Sequence, residues 1–175
     1  RLYPYQPLSY KTSEHKWQGL NIEFINELLP KVHCSAKYVE IPFARSIKML
    51  SDGKVDVMLN ISKTPEREKY FHHIGPMRFE TILLVTDHAV NTKVSSLKDI
   101  LNIKGKIGLR RGTYIGKSFE QLMNNELGFS NKIITISNTA QMIKMFKKKQ
   151  IVGFFEEELH FHYQKQNNRD YKELD

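Results

Sequence analysis

Apolar positions set the first elements of the chain. Leu20, Ile22, Phe24, Ile25, Leu28 and Leu29 predict a helix with one apolar face, stopped by Pro30. Residues 37–41 read as a strand. Pro42 then opens a short helix carrying Phe43, Ile47 and Leu50 at i, i+4 and i+7. Gly53 marks a turn, after which Val55, Val57 and Leu59 alternate as a half-buried strand does. Residues 80–86 form an apolar strand, which Asp87-His88-Ala89 breaks.

Beyond that break Ser96 and Asp99 have the spacing of a capping box, opening a short helix through Leu101. A strand–helix pattern then runs three times. Residues 106–109, 132–136 and 151–155 are apolar strands. The first leads to a helix with Phe119, Leu122, Met123 and Leu127. The second leads, past Asn138 as N-cap, to a helix with Met142, Ile143 and Phe146. The third leads to a polar helical run over residues 156–166. Strands alternating with helices predict a parallel sheet, whose ligands bind beyond the carboxyl ends of the strands. The expected architecture is α/β with two lobes, residues 1–86 and 87–175.

Residues 51–67 hold the densest candidate chemistry. Asn60, Ser62 and Thr64 follow the predicted strand with short polar side chains. Thr64 and Pro65 look like an N-cap and first helical position, and Arg67 sits one turn on. Hydroxyls, N–H groups and a planar guanidinium at one strand end suit a carboxylate. The second lobe offers two further groups at its strand ends. Residues 110–114, Arg-Arg-Gly-Thr-Tyr, combine close backbone approach at Gly112 with the Thr113 N–H and hydroxyl, and Glu156-Glu157-Glu158 supplies carboxylates. Each also has a plain structural reading, a helix cap or a solvated charge run.

These stretches resemble the bacterial extracellular solute-binding proteins, amino-acid-binding type. Gly53, Asp56, Thr64 and Arg67 match that family's G-x-x-D…T-x-x-R segment. The residues from Gly19 resemble its first helix, and Gly112-Thr113 match its second-lobe G-T/S loop. His73 and Gly75 depart from its F-S-x-P segment. The resemblance implies a two-lobed type II periplasmic-binding fold with ligand in an interlobe cleft and hinge closure. It implies Arg67 on the ligand's carboxylate, with Ser62, Asn60, Thr64, Thr113 and Tyr114 around it and Arg110 adding charge. Tyr5 and Phe43 would pack on the ligand, and Glu157, with Glu156 as second choice, would take its ammonium. Family members are longer, so a first strand and a C-terminal return segment are expected to be missing, which would expose apolar surface on the first lobe.

Composition narrows the classes. The chain has 175 residues, 40% apolar and 11% aromatic, which is globular. No apolar run approaches the roughly 18–20 residues that span a bilayer, and no signal peptide is present in this chain. The lone Cys34 excludes an internal disulfide and is expected in the core. Adjacent His72 and His73, and His160 with His162, do not share faces, so no metal or other cofactor is expected. Net charge is +8, with +6 of it after residue 87. A polyanion or an acidic membrane surface is therefore one reading; a solvated lysine-rich surface, with no nucleic-acid partner, is the one taken.

The function expected is binding of an amino acid or related carboxylate for ABC-type uptake, in the periplasm, with an inner-membrane permease or a sensor kinase as partner. An extracytoplasmic sensing domain, a basic polyanion-binding module and a dehydratase-like enzyme on the same frame are the alternatives. Since no bond need be broken, the protein is not expected to be an enzyme.

Overall fold

The computed structural model describes residues 1–172 and 174, and divides into two compact units, Arg1–Phe79 and Glu80–Asp175.

Unit 1 is built around a few backbone pairings. Strands β1 (Tyr10–Lys11) and β2 (Trp17–Gln18) form a short antiparallel pair that leads into α1 (Leu20–Leu28). Gly19, at φ 112°, caps α1; a Cβ there would lie 2.5 Å from the Pro7 carbonyl oxygen, so only glycine fits. The α-helix ends before Pro30, as expected, with Leu29 as its C-cap. Pro30 sits early in a 3-10 turn over Leu29–Val32, where its missing N–H costs nothing. Helix α2 (Phe43–Ser51) forms as its i, i+4, i+7 pattern predicts.

The two strands expected in this unit do not form. In residues 37–41 only Glu40 bridges, to Leu2, and residues 55–59 form no ladder, with bends at Asp56 and Leu59. The reason is local. Leu2 donates to Val39 and accepts from Ile41, but Pro4 has no N–H with which to carry the parallel ladder forward. The Arg1 Nε donates to the Ile41 carbonyl instead, at 2.8 Å. Nor does the expected alternation hold at 55–59, since Val55 and Met58 are buried while Val57 is exposed. Cys34, expected in the core, is exposed just past the 3-10 turn. Leu20, Phe24 and Leu28 make an exposed stripe on α1, and Ile74 and Phe79 are almost fully exposed.

Unit 2 holds a four-stranded mixed sheet of order β3-β6-β4-β5. Its strands are β3 (Ile82–Thr86), β4 (Ile107–Arg110), β5 (Ile133–Ile136) and β6 (Gly153–Glu157). The sheet is not wholly parallel as expected. β4 pairs in parallel with β5 and β6, but β3 pairs antiparallel with β6 along its length, from Ile82↔Glu157 to Thr86↔Gly153. That pairing places β3 in unit 2, whereas the sequence pattern assigns residues 80–86 to the first lobe.

Helices α3 (Lys117–Asn125), α4 (Leu127–Lys132), α5 (Thr139–Lys147) and α6 (Glu158–Asn167) flank the sheet. The single helix expected after β4 is thus two. The Ser96/Asp99 capping box forms but opens a 3-10 helix, Leu97–Asn102, and the Asn138 side chain caps α5 by accepting from Gln141 N. Both faces of the sheet are covered. Phe154 packs with Phe146, Ile143, Met142 and Phe161 on one side; Phe155 packs with Phe119, Phe129 and Ile107 on the other. Edge-on ring contacts at 5.3–5.5 Å tie Phe119 to Phe129 and Phe155, and Phe146 to Phe154.

Candidate functional site

In unit 1 the polar loop after Gly53 folds back on itself around Arg67. Thr64 is buried, and its hydroxyl accepts the Arg67 backbone N–H at 3.3 Å while its carbonyl accepts from Glu68 at 3.0 Å. This is how an N-cap bonds, but only a 3-10 turn, Arg67–Lys69, follows instead of the expected helix. The Arg67 Nη1 donates to the Ser62 carbonyl at 2.8 Å. Ser62 therefore meets Arg67 through its backbone. Two tethers, one on the backbone and one on the guanidinium, hold Arg67 across a five-residue loop.

Asn60 begins that loop in the left-handed region, at φ 53°, which asparagine tolerates better than most residues. Its amide is held at both ends. Nδ2 donates to Oδ1 of the buried Asn21 at 3.0 Å, and Oδ1 accepts from Arg78 Nε at 3.3 Å. Asn21 and Arg78 were not singled out from the sequence. Asn21 lies in the first turn of α1, where an asparagine at a buried position is the available signal.

The two aromatic positions of unit 1, Phe43 and Tyr5, have contacts of their own. The Arg1 guanidinium lies 5.5 Å from the Phe43 ring and 5.7 Å from the Tyr3 ring. Tyr5 is half-buried in a tight turn, its N–H donating to the Ser9 carbonyl at 2.6 Å.

In unit 2 the candidate groups gather at the carboxyl ends of β4 and β6. Arg110 is the last residue of β4. The loop beyond it turns through Gly112, at φ 83°, so that the Thr113 N–H donates to the Arg110 carbonyl at 3.1 Å. The Thr113 N–H is thus engaged in the turn, while its hydroxyl is shielded from solvent without a hydrogen-bond partner. Tyr114, next in the loop, is half-buried.

Glu156 and Glu157 end β6 rather than starting a helix, and both are buried. The Glu157 carboxylate caps α6, accepting from Leu159 N at 3.2 Å and His160 N at 3.0 Å. The Glu156 carboxylate accepts from Glu157 N at 3.0 Å and lies 4.0 Å from His160 Nε2. Parallel register, Ile107↔Gly153 and Gly108↔Phe154, carries Arg110 toward the level of Glu156. Both charges act on the buried Tyr171: burial raises its pKa first, Glu156 raises it further, and Arg110 opposes them. His160 and Tyr171 are thus further members of this polar cluster, on residues whose spacing carries no motif. Among the described residues no group of three or more His, Cys, Asp or Glu side chains is placed to hold a metal ion.

A pair of α/β units, one with an arginine-centred polar loop and the other with polar groups at the carboxyl ends of its parallel strands, is the type II periplasmic-binding fold of solute-binding proteins. The family model for "Bacterial extracellular solute-binding proteins, family 3" matches residues 2–168, and the chain belongs to that family. No curated relative matches. Among solved structures, a histidine kinase sensor domain with similarity to periplasmic binding proteins superposes with a TM-score of 0.81 at 17% identity, covering 98% of this chain and 71% of the other. An ancestral arginine-binding protein bound to glutamine gives 0.77 at 19% identity, covering 98% and 72%. The solute receptor for L-cysteine of Neisseria gonorrhoeae gives 0.74 at 18% identity, covering 97% and 66%. Identities this low establish the shared fold. The family's proteins are extracellular, and among the described residues no helix is long and apolar enough to cross a membrane.

Proposed function

We propose that this chain binds a free amino acid or a closely related small carboxylate, with Arg67 as the group that takes the carboxylate. The observation that carries this reading is the double tether of Arg67, from Thr64 Oγ1 to its backbone and from its Nη1 to the Ser62 carbonyl. A guanidinium braced before the ligand arrives loses less side-chain freedom on binding, so more of its charge-assisted bonding appears as affinity. Asn60, held between Asn21 and Arg78, keeps the start of the loop in place.

The second unit carries polar groups of its own at its strand ends. The Thr113 hydroxyl, shielded and without a partner, is a donor awaiting an acceptor. Arg110 adds positive charge. Glu156 and Glu157 supply negative charge for an ammonium, since a carboxylate that already accepts two N–H groups retains acceptor capacity. Tyr5, Phe43 and Tyr114 offer ring surface for the ligand's apolar part. This work requires neither a metal nor a nucleophile, and the reading is of a binding protein rather than an enzyme.

For such a protein the role is delivery of solute to an ABC-type permease of the inner membrane. A second reading, sensing rather than uptake, is favoured by the likeness to a histidine kinase sensor domain. Immunoblotting native periplasmic and membrane fractions separates the two. A permease-feeding protein runs as a separate polypeptide, and a sensor runs within a longer membrane-bound chain.

The binding reading is tested by melting the protein in the presence of each amino acid in turn. A ligand present at 100 times its Kd stabilises a folded state by about 2.7 kcal/mol, so the cognate compound is expected to raise the Tm by several degrees. Failure of every amino acid and small carboxylate to do so would remove the proposal.

A further inference from the structure

The charge of unit 2 is sorted by the topology of its sheet. Strands β4, β5 and β6 are parallel and start at one edge. Lys104 and Lys106 lie just before β4, Lys132 just before β5, and α5 runs out in Lys147-Lys148-Lys149 before β6. The candidate ligand groups, Arg110, Thr113, Glu156 and Glu157, sit at the opposite, carboxyl edge. The lysine-rich edge is therefore a separate surface.

Carboxylates also lie at the lysine edge. Asp87, at the end of the antiparallel β3, takes Lys149, and Asp170 takes Lys147. Glu126 lies at the junction of α3 and α4. The lysines of this edge outnumber these carboxylates, and Lys104, Lys106 and Lys148 are exposed.

We propose that this edge docks on a membrane surface rich in anionic phospholipid headgroups. Lysines are flexible point charges suited to a diffuse, mobile layer of phosphates, whereas recognition of defined phosphate geometry favours the arginine fork. Single-stranded nucleic acid would call for stacking rings. Among the described residues, the exposed large apolar side chains of unit 2 are Val94, Leu101, Leu127 and Leu159, with no aromatic ring. Leu127, 77% exposed beside Glu126, is an apolar side chain placed to enter the headgroup layer. An extracellular family also puts the protein where a bilayer surface is at hand. Docked by this edge, unit 2 keeps its ligand-facing strand ends turned from the bilayer. The inference does not depend on which solute is bound.

The test is co-sedimentation of the intact chain with two kinds of vesicle, pure phosphatidylcholine and phosphatidylcholine mixed with phosphatidylglycerol. Binding is expected only to the mixed vesicles and is expected to fall as NaCl is raised. The double variant K104E/K148E, which leaves the Lys147–Asp170 and Lys149–Asp87 pairs intact, is expected to lower it by at least about tenfold. The same charge change in unit 1, K31E/K37E, is expected to lower it far less, and the melting curves of both variants are expected to match the parent. Equal binding to both vesicles, or no binding at low salt, overturns the proposal. Equal loss in the two double variants does so as well, as does tighter retention on duplex DNA or heparin than on phosphatidylglycerol vesicles.

Discussion

Replacing Arg67 by alanine is expected to weaken binding of the cognate amino acid by at least about 100-fold, without a matching loss of stability. Two hydrogen bonds to an ionised partner contribute about 1.5–3 kcal/mol each, so their joint loss, about 3 kcal/mol at the lower end, exceeds two decades in Kd. Stability should change little. The substitution gives up the guanidinium's bond to the half-buried Ser62 carbonyl, but the backbone bond to Thr64 Oγ1 survives it. Arg67→Lys should fall between the two, because lysine keeps the charge and loses the planar fork. Calorimetric titration of the three proteins with the same ligand reads the series. Equal affinity for parent and Arg67→Ala would take Arg67 out of the site.

The largest loss of stability is expected at Phe154. Its side chain is fully buried and meets Phe146 edge-on at 5.5 Å, within the cluster that joins β6 to α5 and α6. Phe154→Ala removes the ring and leaves a cavity, at a cost of about 3–5 kcal/mol. For a unit of this size that lowers the Tm by roughly 15–25 °C. Ile74→Ala is the contrast. At 97% exposed, Ile74 has no packing to lose, and the change should stay within about 0.5 kcal/mol. Thermal melts followed by circular dichroism compare them, and similar Tm values for the two variants would contradict the assigned core.

Unit 2 was legible in the sequence because each of its elements carries its own signal. β4, β5 and β6 are short apolar runs, and Asn138 and the Ser96/Asp99 pair announce the helices they cap. The partner of β3 was not legible. Residues 80–86 read as a strand, but whether that strand closes the first unit or joins the second depends on pairing with residues some 70 positions later. Unit 1 was harder for a different reason. Its expected strand at 37–41 has the right residues, yet pairing stops at Leu2 because Pro4 withholds the next N–H, a property of the neighbouring segment. Cys34 misled in a similar way: cysteine is usually buried, but here it follows the 3-10 turn Leu29–Val32 and is exposed.

The candidate site divides along similar lines. Thr64 and Arg67 are three residues apart, and their contact follows from that spacing. Asn21 and Arg78 reach Asn60 across 39 and 18 residues, which no local pattern encodes. The double role of the Glu pair was also beyond reading. A carboxylate after a strand can face a ligand or cap the next helix, and Glu157 caps α6 because the chain enters the helix one residue after β6 ends.

The central claim is that a carboxylate on the ligand is what Arg67 recognises. The most direct measurement is calorimetric titration of the unaltered protein with its cognate amino acid and with the carboxamide of that amino acid, which keeps the size and the ammonium but not the negative charge. The account predicts that the carboxamide binds at least about 100-fold more weakly. Equal affinity for the two compounds would contradict it.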